Sequence, residues 1–175
     1  SVSRATHCAL NSTVIANAPP RTPDIVVSNR RDQATYTGQH AFDVGDVPGH
    51  QVRIFELRRI FPDDQPNCEG LKRVEQWMRG YSDYVDLNGP AWGYTVTLLE
   101  NGDKIFAEFS SSTQTVANPD GSQKTEATTV HKWTGGTGKY HGITGEAPFT
   151  VEALPGPGEN LGALISPHEV TLKIE

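Results

Sequence analysis

Residues 91 to 116 read AWGYTVTLLE, then NGD, then KIFAEFSSSTQTV. Asn-Gly between two runs of β-forming residues is the strongest short-range signal for a hairpin. The runs on either side are long and rich in aromatic and β-branched residues, which suits a pleated, half-buried surface. No other stretch limits the fold so tightly: it requires two long, adjacent, antiparallel strands.

The same grammar extends along the chain. NPDGSQ separates the second run from KTEATTVHKWT and predicts another hairpin. Upstream, QVRIFELRRIF alternates, and its charges Arg53, Glu56, Arg58 and Arg59 fit no single helical stripe, so it reads as a strand. VEQWMRGYSDYVDL carries aromatics at 77, 81 and 84 with helix-like spacing, yet Gly80 and the β-formers around it favour a strand with a bulge. KYHGITGEAPFTVEAL and HEVTLKIE follow, split by the loop PGPGENLGALISP. Seven or eight core strands with short links and almost no helix predict an all-β barrel or sandwich. Residues 1 to 50 are rich in Pro, Asn, Thr, Asp and Gly, with short strand-like runs at DIVVSN and ATYTGQHAF. They read as an extended N-terminal arm on a barrel domain of residues 51 to 175.

A chain of 175 residues suffices for one domain with its own core. A net charge of -6 with no basic block argues against nucleic acid and against anionic membrane surfaces as partners. No apolar run approaches the length of a membrane span. The opening SVSRATHCAL lacks an initiator Met and a signal-peptide core, so it reads as a processed mature chain or a trimmed one. Cys8 and Cys68 are the only cysteines, both in polar, loop-like surroundings. A surface disulfide pinning the arm to the domain is the expectation, with two unrelated thiols as the alternative. The bridge implies a secreted or periplasmic location.

The thirteen residues WTGGTGKYHGITG, 133 to 145, hold five of the seventeen glycines. Phosphate binding does not fit them. Gly138-Lys139 is followed by Tyr140 where a P-loop needs Ser or Thr, and the glycine spacing misses the dinucleotide fingerprint by one residue. A tight connection and a sharp strand corner fit better. TGGTGKYHGITG also resembles the turn of allene oxide cyclases and plant dirigent proteins: a Gly-Gly-Thr-Gly turn, an aromatic three residues on from Thr137, and a closing Gly. The order of strands and hairpins upstream is similar as well, so the resemblance covers about residues 50 to 153. It implies a calycin-like, eight-stranded antiparallel barrel with an apolar cavity, often a homodimer or homotrimer. It also implies either cofactor-independent cyclase or isomerase activity on a small hydrophobic molecule, or a dirigent-like role in which the protein binds without doing the bond chemistry. A lyase or hydro-lyase acting on a phenolic compound is a third alternative.

Candidate site residues follow from strand alternation, with the bulkier face expected to line the interior. Glu108, between Ala107 and Phe109, and Glu56, between Phe55 and Leu57, are carboxylates among apolar neighbours; burial would raise their pKa and make a general acid or base. Tyr94 and Arg58 are candidate polarising groups. Trp77, Tyr81, Tyr84, Trp92, Phe106, His131 and Trp133 form the candidate lining. Each also has a plain structural reading, as core, solvent face or wall. The histidines show no HxH or HExxH spacing, so no metal site is expected, and there is no GxSxG elbow.

Overall fold

The computed structural model describes residues 34 to 64, residue 66 and residues 70 to 153. Cys8, Cys68, DIVVSN and HEVTLKIE lie outside the described residues. Those described form one antiparallel sheet of seven strands in sequence order: β1 (Ala34–Asp43), β2 (His50–Ile60), β3 (Arg73–Val85), β4 (Gly89–Leu99), β5 (Lys104–Ala117), β6 (Gln123–Gly136) and β7 (Gly145–Ala153). The only helical element among them is a single 3-10 turn at Gly138–Tyr140. β1 and β7 are the two edges and do not pair with each other, so the sheet is open. The run ATYTGQHAF is β1, paired along β2.

The hairpins sit where the turn residues put them. Gly102, in NGD, has φ +88, and Gly121, in NPDGSQ, has φ +85. The β3–β4 turn, by contrast, is built from Asp86 (φ 50) and Leu87 (φ 67), two non-glycine residues in the left-handed region. Asn88 holds that turn, donating its side-chain amide to the Asp86 carbonyl (2.9 Å) and accepting the Thr115 N–H on its side-chain oxygen (2.6 Å).

Gly80 is not at a bulge. It lies in regular register between Phe55 on β2 and Gly93 on β4, and the β3 irregularity falls at Arg73–Glu75 instead. The reason for glycine is close approach. A Cβ on Gly93 would lie 2.1 Å from the Arg79 carbonyl oxygen, and one on Gly80 would lie 2.7 Å from the Phe109 ring. Phe55, Gly80, Gly93 and Phe109 form one cross-strand row. The two phenyl rings converge over the glycines to a centroid separation of 6.5 Å. Strands three apart in a flat sheet would stand about 14 Å apart at the backbone. The rings close that gap by leaning over a floor with no side chains, which gives the sheet a distinct inner face.

That inner face carries two apolar clusters. Phe55, Ala91 and Phe109 pack with Tyr36, Met78 and Tyr84. Leu99, Ile105, Ala107 and Trp133 pack with Tyr140 and Ile143 from the glycine-rich segment. Tyr140 and Ile143 are almost fully buried, at 0% and 1% exposure. The segment turns sharply at Gly138 (φ +56), whose missing Cβ makes room for the Asp103 carboxylate. Thr137 then ties it to the β4–β5 hairpin, accepting the Lys104 N–H at 2.8 Å and donating to Asp103 at 3.2 Å. The glycines therefore shape a corner that drops an aromatic plug onto one end of the inner face.

Candidate functional site

Alternation divides the candidate residues between the two faces. On β4, Ala91, Gly93, Thr95, Thr97 and Leu99 are buried, while Trp92 and Tyr94 on the other face are 47% and 62% exposed. Outer-face registry with them places Glu56, Arg58, Trp77, Tyr81, Phe106 and Glu108 there too. Glu108 is exposed. Glu56 is drawn into the outer surface network: Thr37 Oγ1 donates to it at 2.7 Å and Arg79 Nε donates at 2.7 Å. These bonds hold its carboxyl below the ordinary range, opposite to what a general acid needs. Arg58 is paired with Glu75 and stacks over Trp77. Tyr84, His131 and Trp133 are the candidates that face inward. Tyr84 shares a hydrogen bond with Thr113 (3.2 Å), and Trp133 is core.

The inner face brings together a different set. Tyr36 on β1 packs edge-on against Phe55 (5.9 Å), Phe55 approaches Phe109, and Phe109 lies 6.2 Å from the His131 ring. These four rings come from β1, β2, β5 and β6 and form a continuous aromatic floor. Two arginines border it. Arg53 lies over both the Tyr36 and Phe55 rings at 5.7 Å and donates to Gln39 (2.8 Å). Arg59, two residues short of the end of the QVRIFELRRIF run, has its Nε enclosed and without a hydrogen-bond partner among the described residues. No carboxylate pairs with it there. Arg73, its cationic neighbour, is already matched by Asp64 through a two-point contact at 2.6 and 2.9 Å.

The electrostatics follow from this enclosure. Desolvation, then repulsion from Arg73, lowers the Arg59 pKa to about 10, which still leaves it charged at neutral pH. Desolvation chiefly, with Arg59 second, lowers the His131 pKa to about 4, so its imidazole is neutral. Both side chains keep some exposed surface, but Arg59 Nε and His131 Nε2 are enclosed, and those enclosed nitrogens are what the desolvation acts on. Burial raises the Tyr36 pKa, so the phenol keeps its proton, while Arg53 and Arg59 pull the other way. The site thus offers a buried cation, a neutral imidazole and a protonated phenol above an apolar floor. Such a set can hold an oxyanion and move a proton.

Of these groups, His131 was legible from the sequence as a candidate. Tyr36 lay inside the expected arm, and Arg53 and Arg59 lay within a strand whose other charges face solvent. A signal existed: Arg53, Phe55, Leu57 and Arg59 share a parity with the apolar residues, while Glu56 and Arg58 do not. No family model, curated protein or solved structure matches the chain.

Proposed function

We propose that the chain is a cofactor-independent isomerase or cyclase whose substrate is a small, largely apolar molecule with an oxygen that carries or gains negative charge. The observation that carries this is Arg59, a desolvated guanidinium with an enclosed, unpartnered Nε bordering an aromatic floor. An unpaired charge drawn partly out of water is costly. A ligand oxyanion would offset that cost, and would be held more strongly there than in water. The proposal takes the seven strands to be part of an eight-stranded barrel, which would convert the inner face into a closed cavity.

In this reading the floor orients the substrate so that the reacting atoms sit in one conformer, which lowers the entropic part of the barrier. Arg59 and the Tyr36 hydroxyl donate to the substrate oxygen as charge builds on it. His131 accepts a proton from an adjacent carbon and returns it to another, so no electrons leave or enter the system. An anion bound at Arg59 cancels that cation's effect on His131 and raises the imidazole pKa toward its ordinary range, which improves the base. The disulfide and export expected from the sequence belong to the same proposal; alkylating the intact and the reduced protein and weighing both would show whether Cys8 and Cys68 are bridged.

The experiment uses two dyes and one reaction. The anionic dye anilinonaphthalene sulfonate and the neutral dye N-phenylnaphthylamine report occupancy of the floor. Arg59→Met should lose the anionic dye and keep the neutral one. Exchange of α-hydrogen for deuterium in a panel of small apolar ketones tests proton transfer. His131→Gln should abolish exchange while both dyes still bind. Equal binding of both dyes by Arg59→Met would remove the basis of the proposal. Dye binding without exchange in the wild-type protein would leave a ligand-binding role and refute the enzymatic one.

A further inference from the structure

The outer face of β4 presents Trp92, Tyr94, Val96 and Leu98 in a line along the middle strand of seven. Trp92 and Tyr94 stand about half exposed, and Tyr81 on β3 lies beside Trp92 with ring centroids 6.0 Å apart. Three such rings leave on the order of 300 Å² of contiguous apolar surface in solvent. That is the scale at which an exposed patch marks an interaction site.

The charges bordering this spine show what covers it. The pairing register sets one row across the sheet: Glu56, Arg79, Tyr94, Glu108, Lys132. Signs reverse about Tyr94. One strand out, Arg79 answers Glu108; two strands out, Glu56 answers Lys132. A second row repeats the rule about Leu98, with Glu75 on β3 and Lys104 on β5. A surface that changes sign under reflection in its own midline is complementary to a second copy of itself. Two copies packed face to face about a two-fold axis parallel to β4 place each residue opposite its mirror position, so every Arg79 meets a Glu108. Rotating one copy end over end about the Tyr94 row instead sets Arg79 on Arg79 and Glu108 on Glu108, a costly like-charge juxtaposition. The same rotation about the Val96 row sets Arg79 on Glu75 and Glu108 on Lys104, matching two kinds of pair where the parallel packing matches three: Arg79 with Glu108, Glu56 with Lys132 and Glu75 with Lys104. Glu108, Lys104 and Lys132 make no ion pair within the described residues and are available for this match, whereas Arg79 and Glu75 would be shared with Glu56 and Arg58 of their own copy.

We propose that the outer face of β4 is a self-association surface on which two copies of this chain pack as a parallel, two-fold dimer, with Arg79 of each copy opposite Glu108 of the other. The apolar spine supplies the central contact, and the flanking charges select the partner and its direction, which is how interfaces divide these roles. The inference stands apart from the proposed activity, since it uses the opposite face of the sheet.

Sedimentation velocity on the full chain across a range of concentrations reads the mass directly. The wild type should sediment as a dimer. Arg79→Glu and Glu108→Arg should each weaken dimerisation by about tenfold or more, since each reversal acts twice in a two-fold interface. The double variant, Arg79→Glu with Glu108→Arg, should restore it, and circular dichroism of the three variants checks that the sheet is intact. A wild type that stays monomeric overturns the proposal and would mean that another part of the chain, or a different partner, covers the spine. A dimer indifferent to either reversal overturns it by placing the interface elsewhere. Single variants that dissociate without rescue in the double variant overturn the parallel arrangement.

Discussion

His131 should make this protein acid-sensitive. An unfolded imidazole titrates near 6.5, whereas in the fold His131 titrates at about 4, because desolvation and then Arg59 disfavour its charged form. Between those values the unfolded chain binds a proton that the folded chain rejects. Stability therefore rises with pH across the window: the contribution is fully present above 6.5 and is lost as pH falls toward 4. The whole gap is worth about 3 kcal/mol, and the part between pH 7 and pH 5 about 2 kcal/mol. That is a sizeable share of the 5 to 15 kcal/mol or so that holds a typical domain together. His50 works in the opposite sense. Hydrogen bonds to Asp83 (2.8 Å) and Asp46 (2.6 Å) raise its pKa, so its contribution is present below 6.5 and lost as pH rises through the folded value. The wild-type curve is the sum of the two, and comparison with His131→Gln isolates one of them. Urea unfolding followed by tryptophan fluorescence at pH 7, 6 and 5 provides the measurement. The stability difference between wild type and His131→Gln should shift by about 2 kcal/mol toward the variant from pH 7 to pH 5. Parallel curves would show that the imidazole is not desolvated and would refute the reasoning.

Arg59→Met should leave stability unchanged or raise it by about 1 kcal/mol while removing anionic-dye binding, because it exchanges a partly desolvated, unpaired charge for an apolar side chain of similar length; thermal melting beside the dye titration checks both halves. Gly93→Ala should destabilise by roughly 3 kcal/mol or more, since its Cβ would lie 2.1 Å from the Arg79 carbonyl and 2.5 Å from the Gly80 Cα, both rigid backbone; a melting temperature close to wild type would show that β3 and β4 can separate there. His50→Gln should flatten the fall in melting temperature expected as pH rises above 6.5, a fall that reflects the raised His50 pKa; a variant whose melting temperature falls as steeply as the wild type's would show that the imidazole carries no such contribution.

Much of the fold was legible because its signals are local. The NGD and NPDGSQ turns, the alternation of AWGYTVTLL and the corner at Gly138 each depend on residues near one another in sequence. The Asp86-Leu87 turn was hard to read, because Leu87, unlike Asp86, is not a usual occupant of the left-handed region and the turn is held by Asn88 and Thr115 from outside. Gly80 was visible as an anomaly, but its cause was not, since the ring that needs the space comes from Phe109, two strands on by way of Gly93. Of the candidate site residues, Tyr84, His131 and Trp133 point inward. Glu56, Arg58, Trp77, Tyr81, Trp92, Tyr94, Phe106 and Glu108 share the outer face.

By itself the sequence determined that residues of one parity on each strand share a face, and that consecutive strands are antiparallel neighbours. Alternation and turn chemistry are properties of the backbone, and they need no distant partner. Which parity faces inward was decided only by the tertiary structure. On β4 the bulky side chains Trp92 and Tyr94 face solvent and the small ones Ala91 and Gly93 face the core. The volume above that small floor is filled by Phe55 and Phe109, which lean in from strands on either side. Core volume is shared across a sheet, so no strand shows alone whether its large or its small face is the one covered. The same sharing enclosed Arg59 and left Glu108 in water, and with that it moved the candidate chemistry from the acidic residues of one face to the cation, imidazole and phenol of the other.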